Sequence, residues 1–234
     1  MKVAIMQPYF LPYIGYFQLI QAADKFVVYD NIEFTKKGWI NRNRILVNAK
    51  DEYFTLPLKK DSDYLDIDKR RLADSFQEGK AKILRKITVC YKKVPFYETI
   101  YPFIEKLFNK EEVSLFRFIH HSLLVICEYL GISTTFTLSS SLQTDHNLKS
   151  QDKGISICKE LNATHYINPV GGLELYSKKA FDENGIKLNF IRSNDIKYQQ
   201  YQNEFVPWLS ILDVLMFNTK EKVQQYLQSD YTLI

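Results

Sequence analysis

The chain has 234 residues, of which 46% are hydrophobic and 25% are charged, and this balance excludes a wholly disordered protein. Its net charge of +4 is concentrated between residues 35 and 60, where seven Lys or Arg residues accompany two acidic ones. A basic stretch of this size suits a phosphate-bearing small molecule and is too small for a nucleic-acid-binding surface, so no nucleic-acid partner is expected.

The N-terminal part of the chain predicts strand, helix and strand, followed by a hairpin. KVAIM and KFVVYD are short apolar runs typical of buried strands, and YIGYFQLIQAA between them has helical spacing. This pattern predicts a βαβ unit with parallel strands. NRILV and EYFTLPL, joined by turn-forming residues, predict a β-hairpin over residues 43–58.

The rest of the chain is helical at first and then alternates again. Apolar residues three and four apart predict helices over about 80–92, 95–108 and 113–130. TTFTLS, THYIN and KLNFIR then predict strands, separated by helices over about 150–161 and 173–185. Two C-terminal helices are predicted over 207–217 and 221–228.

These elements predict a single α/β domain over residues 1–234, built on a Rossmann-like parallel sheet with a β-hairpin excursion and a helical insertion. The predicted sheet comes from about 1–60 and 132–195, the helical region covers about 80–131, and the C-terminal helices lie within 205–229. No run of 18 apolar residues, no signal-peptide pattern and no CxxC pair occur. We therefore expect a cytoplasmic protein without a transmembrane segment. The sequence is compatible with an oligomer.

Ligands in parallel α/β sheets bind outside the carboxyl ends of the strands. This rule predicts that the loops 7–15, 30–44 and 168–172 converge. In the first loop, two prolines stiffen the chain and a helix N-terminus follows, which suits an anion. The candidate ligand-binding residues of this loop are Gln7, Tyr9, Tyr13, Gly15 and Tyr16.

The first loop also looks like the opening of class I nucleotidyl-transfer proteins, which carry H-x-G-H before a helix. Here the matching residues are Tyr13, Ile14, Gly15 and Tyr16, so both histidines are replaced by tyrosines. A tyrosine can hydrogen-bond a phosphate but cannot carry the charge of an imidazolium. An alternative function is therefore a nucleotidyltransferase-like enzyme that uses a nucleoside triphosphate.

The second loop combines charged, aromatic and amide side chains after the second strand. Asp30 ends that strand, where it could orient a substrate amine or remove its proton. Lys37, Arg42 and Arg44 could bind phosphate, and Trp39 could stack on a sugar or base. Asn41 and Asn43 add uncharged donors and acceptors. A solvated basic loop with one anchoring Trp is the alternative.

Two later segments supply weaker candidates. Asn168, Gly171 and Gly172 follow a predicted strand, where backbone amides could hold an anion, although a simple glycine turn is the alternative. Tyr201 lies in a tyrosine- and glutamine-rich loop. Asp213, on an otherwise apolar helix, needs a partner and could be catalytic or structural. The four histidines show no ligand spacing, so no metal site is predicted.

The segments QPYFLPYIGYFQLI, YDN with KKGWINRNRI, the Asn-Pro-x-Gly-Gly turn and PWLSILDVLMFN together resemble the WbqC-like family, in order along nearly the whole chain. The resemblance implies a role in bacterial O-antigen or lipopolysaccharide biosynthesis. It implies transfer of an amino acid, such as glycine, or another acyl group to the amine of a nucleotide-linked amino sugar, by a transferase or an ATP-dependent amide ligase.

In that reading Asp30, Lys37 and Asp213 are the candidate catalytic residues, Lys37, Arg42 and Arg44 hold phosphates, and Trp39 and Tyr9 stack on the base or sugar. The cofactor is open, with ATP and Mg²⁺ as a candidate. A non-catalytic binding protein of the same machinery is a further alternative, because no standard catalytic motif occurs.

Overall fold

The protein is represented by a computed structural model that describes residues 1–202 and 204–234. In chain order its strands are β1 Lys2–Met6, β2 Lys25–Val28, β3 Arg42–Val47, β4 Lys50–Thr55, β5 Thr135–Leu138, β6 His165–Pro169, β7 Lys187–Ser193 and β8 Tyr231–Leu233. Its α-helices are α1 Ile14–Ala22, α2 Phe76–Tyr91, α3 Tyr97–Phe108, α4 Leu115–Leu130, α5 Ser150–Glu160, α6 Lys178–Asp182, α7 Ile211–Phe217 and α8 Lys220–Ser229.

Six strands form the central sheet in the order β5-β2-β1-β6-β7-β8. All neighbouring pairs are parallel except β7 and β8, which are antiparallel. The chain runs outward from β1 to β2 and β5, then returns to the other side of β1 to form β6 and β7. This is the Rossmann-like strand order, so the predicted fold class is confirmed, and the order reverses between β1 and β6.

Both faces of the sheet are covered, as continuous apolar strands require. Side chains alternate along β1, so Val3 and Ile5 pack into one apolar cluster while Ala4 packs into the other. The cluster of Val3 and Ile5 includes Ile157 of α5 and Phe181 of α6. The opposite cluster contains α1 and most of the other helices. Loops at the carboxyl edge are therefore held from both sides.

The predicted hairpin forms a separate two-stranded sheet of β3 and β4. Its two-residue turn places Asn48 and Ala49 at φ 49° and 64°, the pattern of a type I′ turn. The hairpin is attached to the first loop, because the amide N–H of Phe10 donates to the carbonyl of Ile40 at 3.0 Å. This contact brings the loop after β1 and the segment before β3 together, as the sequence predicted.

The helical insertion consists of α2, α3 and α4. The hydroxyl oxygen of Ser114 accepts a hydrogen bond from the amide of Arg117 at the start of α4, and Gly131 ends α4 at φ 72°. Within residues 1–202 and 204–234, no helix is both long enough and apolar enough to cross a membrane.

Three elements differ from the sequence prediction. Residues 173–177 are not helical, and α6 begins only at Lys178, because the side chain of Ser177 caps it. Residues 205–210 are not helical either, because Trp208 adopts φ 61° and Ser210 caps α7. Strand β8 was not predicted, since its three residues carry no alternating pattern of their own and pair with the edge of β7.

Candidate functional site

A cavity of about 370 Å³ lies where the strand order reverses, between the carboxyl ends of β1 and β6. We call it the switch-point pocket. Five predicted ligand-binding residues line it, two from the first loop and three from the third: Gln7, Tyr9, Asn168, Gly171 and Gly172. The predicted convergence of these two loops is thus present in the structure, and the pocket has the size of an ordinary small-molecule site.

Lys153 of α5 also lines this pocket and was not among the predicted residues. Only 1% of its surface is exposed. Its ammonium group donates to Oγ1 of Thr144 at 3.0 Å, to the carbonyl of Asp145 at 2.9 Å and to Nδ1 of His146 at 3.2 Å. Burial lowers the pKa of Lys153, and the charge of Asp145 partly opposes that shift.

Asn168 and Gly172 are packed together at the end of β6. A Cβ atom on Gly172 would lie 2.2 Å from Nδ2 of Asn168, so only glycine allows the Asn168 side chain its place. Asn168 is 6% exposed and lines the pocket. Gly171 is exposed, and a Cβ atom there would meet nothing within 4 Å.

A chain of hydrogen bonds links Asp30 to the pocket. Asp30 is 2% exposed, and its carboxylate accepts from the hydroxyl of Ser139 at 2.9 Å and from the amide and hydroxyl of Ser140 at 3.0 and 2.6 Å. The same Ser139 hydroxyl contacts Oδ1 of Asn31, whose Nδ2 lies 2.8 Å from Nδ1 of His146. These contacts tie the end of β2 to the end of β5 and support a structural role for Asp30.

Four tyrosines line this pocket, and burial raises the pKa of each, including the fully buried Tyr166. Burial raises the pKa of Tyr9 to about 12 and also raises the pKa values of Tyr29 and Tyr176. Their hydroxyl groups are therefore neutral near pH 7 and can donate hydrogen bonds to a ligand. No Asp, Glu or His side chain is among the described residues that line the pocket.

A second cavity of about 260 Å³ adjoins the first, because Tyr9 lines both. We call it the aromatic pocket. Besides Tyr9, six residues line this pocket: Pro12, Tyr13, Trp39, Asn43, Arg44 and Trp208. Five predicted ligand-binding residues, counting Tyr9, thus lie around one cavity. Rings on several sides suit a sugar or a nucleotide base.

Arg44 holds the aromatic pocket in shape. Its Nη1 lies 3.0 Å from Oδ2 of Asp51, and its Nη2 donates to the carbonyl of Trp208 at 3.2 Å. The guanidinium carbon lies 5.2 Å from the centre of the Trp39 ring, which stacks on Tyr53. Arg44 therefore contacts the protein through both terminal nitrogens, while its buried Nε has no partner among the described residues.

The other basic residues of the second loop lie outside both pockets. Arg42 donates from Nε to the carbonyl of Gly38 at 2.9 Å and from Nη2 to the carbonyl of Lys37, and it stacks on Tyr53. Lys37 is exposed, and neither pocket includes it. Asn41 donates to the carbonyl of Leu56 at 2.9 Å. The phosphate-binding roles predicted for Lys37 and Arg42 stay predictions, and these contacts favour a structural role for Arg42.

The two tyrosines at the H-x-G-H-like positions have different surroundings. Tyr16 is buried, and its hydroxyl donates to the carbonyl of Gln7 at 2.8 Å, which braces the first loop. Tyr13 lines the aromatic pocket, with its ring 5.7 Å from that of Trp208. A Cβ atom on Gly15 would lie 2.3 Å from the Tyr13 ring, so glycine is needed there. Only one member of the pair can touch a ligand in these pockets.

Asp213 and Tyr201 lie away from the two pockets. Asp213 is fully buried and accepts hydrogen bonds from Tyr91 at 2.8 Å, Tyr198 at 2.6 Å and Gln200 at 2.7 Å. Burial raises the pKa of Asp213, and the three donors partly oppose that shift. Tyr201 donates to the carbonyl of Cys90. These contacts join α7, α2 and the 198–201 loop, and the predicted functional roles of both residues stay predictions.

A third cavity, of about 430 Å³, lies on the far side of Tyr13 and Trp208. The carboxyl end of β7 and residues 194–198 form its other walls. Across the residues that the structure describes, no group of three His, Cys, Asp or Glu side chains is arranged to hold a metal ion.

The sequence carried a weak signal for the missed residue. Lys153 lies four residues before Ile157, on the buried face of α5, where a solvated lysine would not be expected. Charged residues are rarely buried without a partner or a function, so a lysine at a core position of an amphipathic helix could have identified Lys153 as a candidate. The sequence instead predicted a phosphate site in the exposed basic loop, because basic residues are dense there.

The fold and the paired cavities define a Rossmann-like α/β protein with a ligand-sized site at the switch point of its sheet. The chain belongs to the WbqC-like protein family, whose model matches residues 7–225. It is similar to Rv1507c of Mycobacterium tuberculosis, an uncharacterized protein, with 29% identity over 229 residues that cover 97% of each chain. No solved structure matches the chain significantly.

Proposed function

We propose that this protein binds a nucleotide-linked amino sugar across the switch-point pocket and the aromatic pocket, and transfers an amino acid or another acyl group to the sugar amine. The observation that carries the proposal is the junction of the two cavities at Tyr9. A ligand that crosses this junction needs a group that stacks on aromatic rings and a group that accepts hydrogen bonds. Nucleotide-linked sugars have both.

The composition of the walls supports this assignment of parts. The aromatic pocket offers Tyr13, Trp39 and Trp208 to a base or sugar ring. The buried amide of Asn43 donates to the carbonyl of Phe10 and accepts from the amide N–H of Arg44, so it fixes the wall of this pocket. The switch-point pocket offers hydrogen-bond donors at strand ends, where phosphates bind in sheets of this topology. Its volume of about 370 Å³ leaves room for a diphosphate and part of a sugar.

In this proposal the protein acts mainly by binding and orienting its substrates. An amine attacks an acyl group only after it has lost its proton. Both predicted catalytic carboxylates already accept hydrogen bonds from the protein. Asp30 accepts at both of its oxygens, and Asp213 accepts from three donors. Proton removal is therefore assigned to water or to the leaving group of the donor, and close placement supplies the rate gain.

Binding to a panel of nucleotides tests the proposal. Thermal unfolding is measured with UDP, dTDP, GDP and ATP–Mg²⁺, each also as its amino-sugar conjugate where one exists. A ligand at 100 times its Kd stabilises the fold by about 2.7 kcal/mol, or roughly 5–10 °C for a chain of this length. We expect such a shift with at least one diphosphate and its loss in Trp39→Leu. Tyr64→Leu, at an 82% exposed tyrosine outside both pockets, is the control.

Activity is then tested with the best-binding amino-sugar nucleotide. The protein is incubated with that compound and either an activated acyl donor or glycine with ATP–Mg²⁺, and mass spectrometry detects amide formation. The proposed substrate class is made in the cytoplasm, so that is the proposed location. A wild-type protein that no nucleotide stabilises would contradict the binding proposal.

A non-catalytic binding protein is the second candidate, and one observation favours it. No described carboxylate or imidazole lines the switch-point pocket or the aromatic pocket, so a general base is not in place there. This candidate predicts the same thermal shifts with no amide product under any donor. A nucleotidyltransferase would instead release pyrophosphate from a nucleoside triphosphate without an amino acid, with Tyr13 and not the buried Tyr16 at its cavity.

A further inference from the structure

The wall of the switch-point pocket includes the positive charge of Lys153, which forms no ion pair within the described residues, although the charge of Asp145 acts on it from a distance. Lys153 donates its three N–H groups to a hydroxyl, a carbonyl and an imidazole nitrogen, so it would attract a ligand through its charge and not through a free donor. Throughout residues 1–202 and 204–234, no carboxylate oxygen lies within 4.0 Å of its Nζ. Burial of an unpaired charge is costly, so a ligand that brings negative charge would compensate it.

The positive end of a helix lies at the same wall. Helix α5 has 11 residues and starts without a side-chain cap. Ser150, Lys153 and Gly154 in its first turns all line the pocket. The first amide groups of a helix have no partner within the helix, and the helix dipole adds a partial positive charge there. Two independent sources of positive potential therefore meet at one wall.

Asn168 supplies a third observation, from the opposite side of the pocket. Only 6% of its surface is exposed, and its amide is not among the described polar groups that are closed off from solvent without a partner. Gly172 holds it in place, because any larger residue there would collide with Nδ2. A nearly buried amide at the wall of a pocket is available to water or to a ligand that binds there.

We propose that Lys153, Asn168 and the N-terminus of α5 form a binding site for a phosphate or diphosphate group. The proposal deepens the proposed function and rests on it only in identifying this group with the diphosphate of a nucleotide-linked sugar. It is an alternative to the phosphate site that the sequence predicts at Lys37, Arg42 and Arg44. The neutral hydroxyls of Tyr29 and Tyr176 add hydrogen-bond donors. A carboxylate has only two oxygens to accept them, so this set of donors suits a phosphate better.

Calorimetric titration with inorganic pyrophosphate tests the site without any nucleoside. Lys153→Met removes the charge and keeps the length of the side chain. Lys159→Gln is the matched control, because it removes one lysine charge from the exposed last turn of the same helix. We expect pyrophosphate to bind the wild type, its affinity to fall at least tenfold in Lys153→Met, and Lys159→Gln to bind within twofold of the wild type.

A second variant keeps the test decisive if Lys153→Met fails to fold. Asn168→Asp preserves the shape of the side chain and places a negative charge on the opposite wall, so we expect at least a tenfold loss of pyrophosphate affinity. Wild-type protein that does not bind millimolar pyrophosphate would overturn the proposal. So would folded Lys153→Met and Asn168→Asp proteins that both bind as the wild type does, or acetate that binds as tightly as pyrophosphate.

The same titrations separate this proposal from the proposed function. If pyrophosphate binds through Lys153 but UDP, dTDP and GDP bind no more tightly than pyrophosphate, the phosphate site stands and the nucleotide-sugar proposal fails. If a nucleoside diphosphate binds no more tightly than its nucleoside, and Trp39→Leu weakens both, the aromatic pocket stands and the phosphate site is wrong.

Discussion

The hairpin and the switch-point pocket differ in how their positive charges are neutralised. In the hairpin, Arg44 lies 3.0 Å from a carboxylate oxygen of Asp51, and Arg42 donates to two backbone carbonyls. In the pocket, Lys153 is buried more deeply than either arginine yet has no carboxylate partner. The arginines of the region with the most cations thus contact a carboxylate or carbonyls, whereas the charge of a single lysine on a helix has no carboxylate in contact with it.

This difference teaches that charge density in a sequence does not show which charges already have partners. A charge whose partners lie within the protein contributes to stability, and its removal should destabilise the fold without much change in ligand affinity. A charge without an opposite partner should behave in the reverse manner. The expected effects of three substitutions on the free energy of unfolding separate the two kinds of charge.

Asp213→Ala should have the largest effect on stability. It leaves the donors of Tyr91, Tyr198 and Gln200 buried without an acceptor, and we expect a loss of about 3 kcal/mol in the free energy of unfolding. Urea unfolding measures it, and the pyrophosphate affinity of the folded variant should stay within twofold of the wild type. A loss below about 1 kcal/mol would show that water replaces the carboxylate.

The pH dependence of Asp213→Asn provides the control for this substitution. Burial raises the pKa of Asp213 in the folded state, so between the unfolded and folded pKa values the folded state binds the proton more tightly. The free energy of unfolding of the wild type should therefore decrease through this window as pH rises. Asp213→Asn cannot ionise and should lose that contribution, whereas an unchanged slope would show that Asp213 is not its source.

The fold could be predicted from sequence because its signals are local. The apolar runs at β1, β2 and β6 and the glycine at the end of α4 each indicate their own element. Local signals did not show that the helices predicted around α6 and α7 begin later in the chain than the apolar pattern indicates. The positive φ of Trp208 depends on contacts with Arg44 and Tyr13, which are distant in the sequence.

The candidate site could be predicted only in part. The strand-end rule selects Gln7 and Asn168 from the sequence, and both line the switch-point pocket. Asp30 and Asp213 look reactive in a sequence because nothing in it shows their hydrogen-bond donors. Those donors lie 109 and 110 residues away from Asp30, and as far as 122 residues away from Asp213. Whether a charge has a partner is a property of tertiary structure.

Arg44→Gln should have an intermediate effect. Its ion pair with Asp51 is partly exposed, with 23% and 41% of the two side chains accessible, so we expect a loss of about 1 kcal/mol in the free energy of unfolding. Lys36→Gln is the control, since its pair with Asp63 is mostly exposed and should contribute less than about 0.5 kcal/mol. Pyrophosphate affinity that falls tenfold in Arg44→Gln would move the phosphate site toward the hairpin.

Lys153→Met should have the smallest effect on the stability of the unliganded protein. The substitution removes three hydrogen bonds to neutral acceptors, and it also removes the cost of burying an unpaired ammonium group, so the two changes oppose each other. Thr144, Asp145 and His146 lie in an exposed or half-exposed loop, where water can bind the acceptors that Lys153 leaves. We expect the free energy of unfolding to change by less than about 1 kcal/mol. With pyrophosphate at 100 times its Kd, urea unfolding should show about 2.7 kcal/mol of added stability in the wild type and little in the variant. If the free energy of unfolding instead falls by about 3 kcal/mol without ligand, the hydrogen bonds of Lys153 stabilise the fold, as those of Asp213 are expected to do.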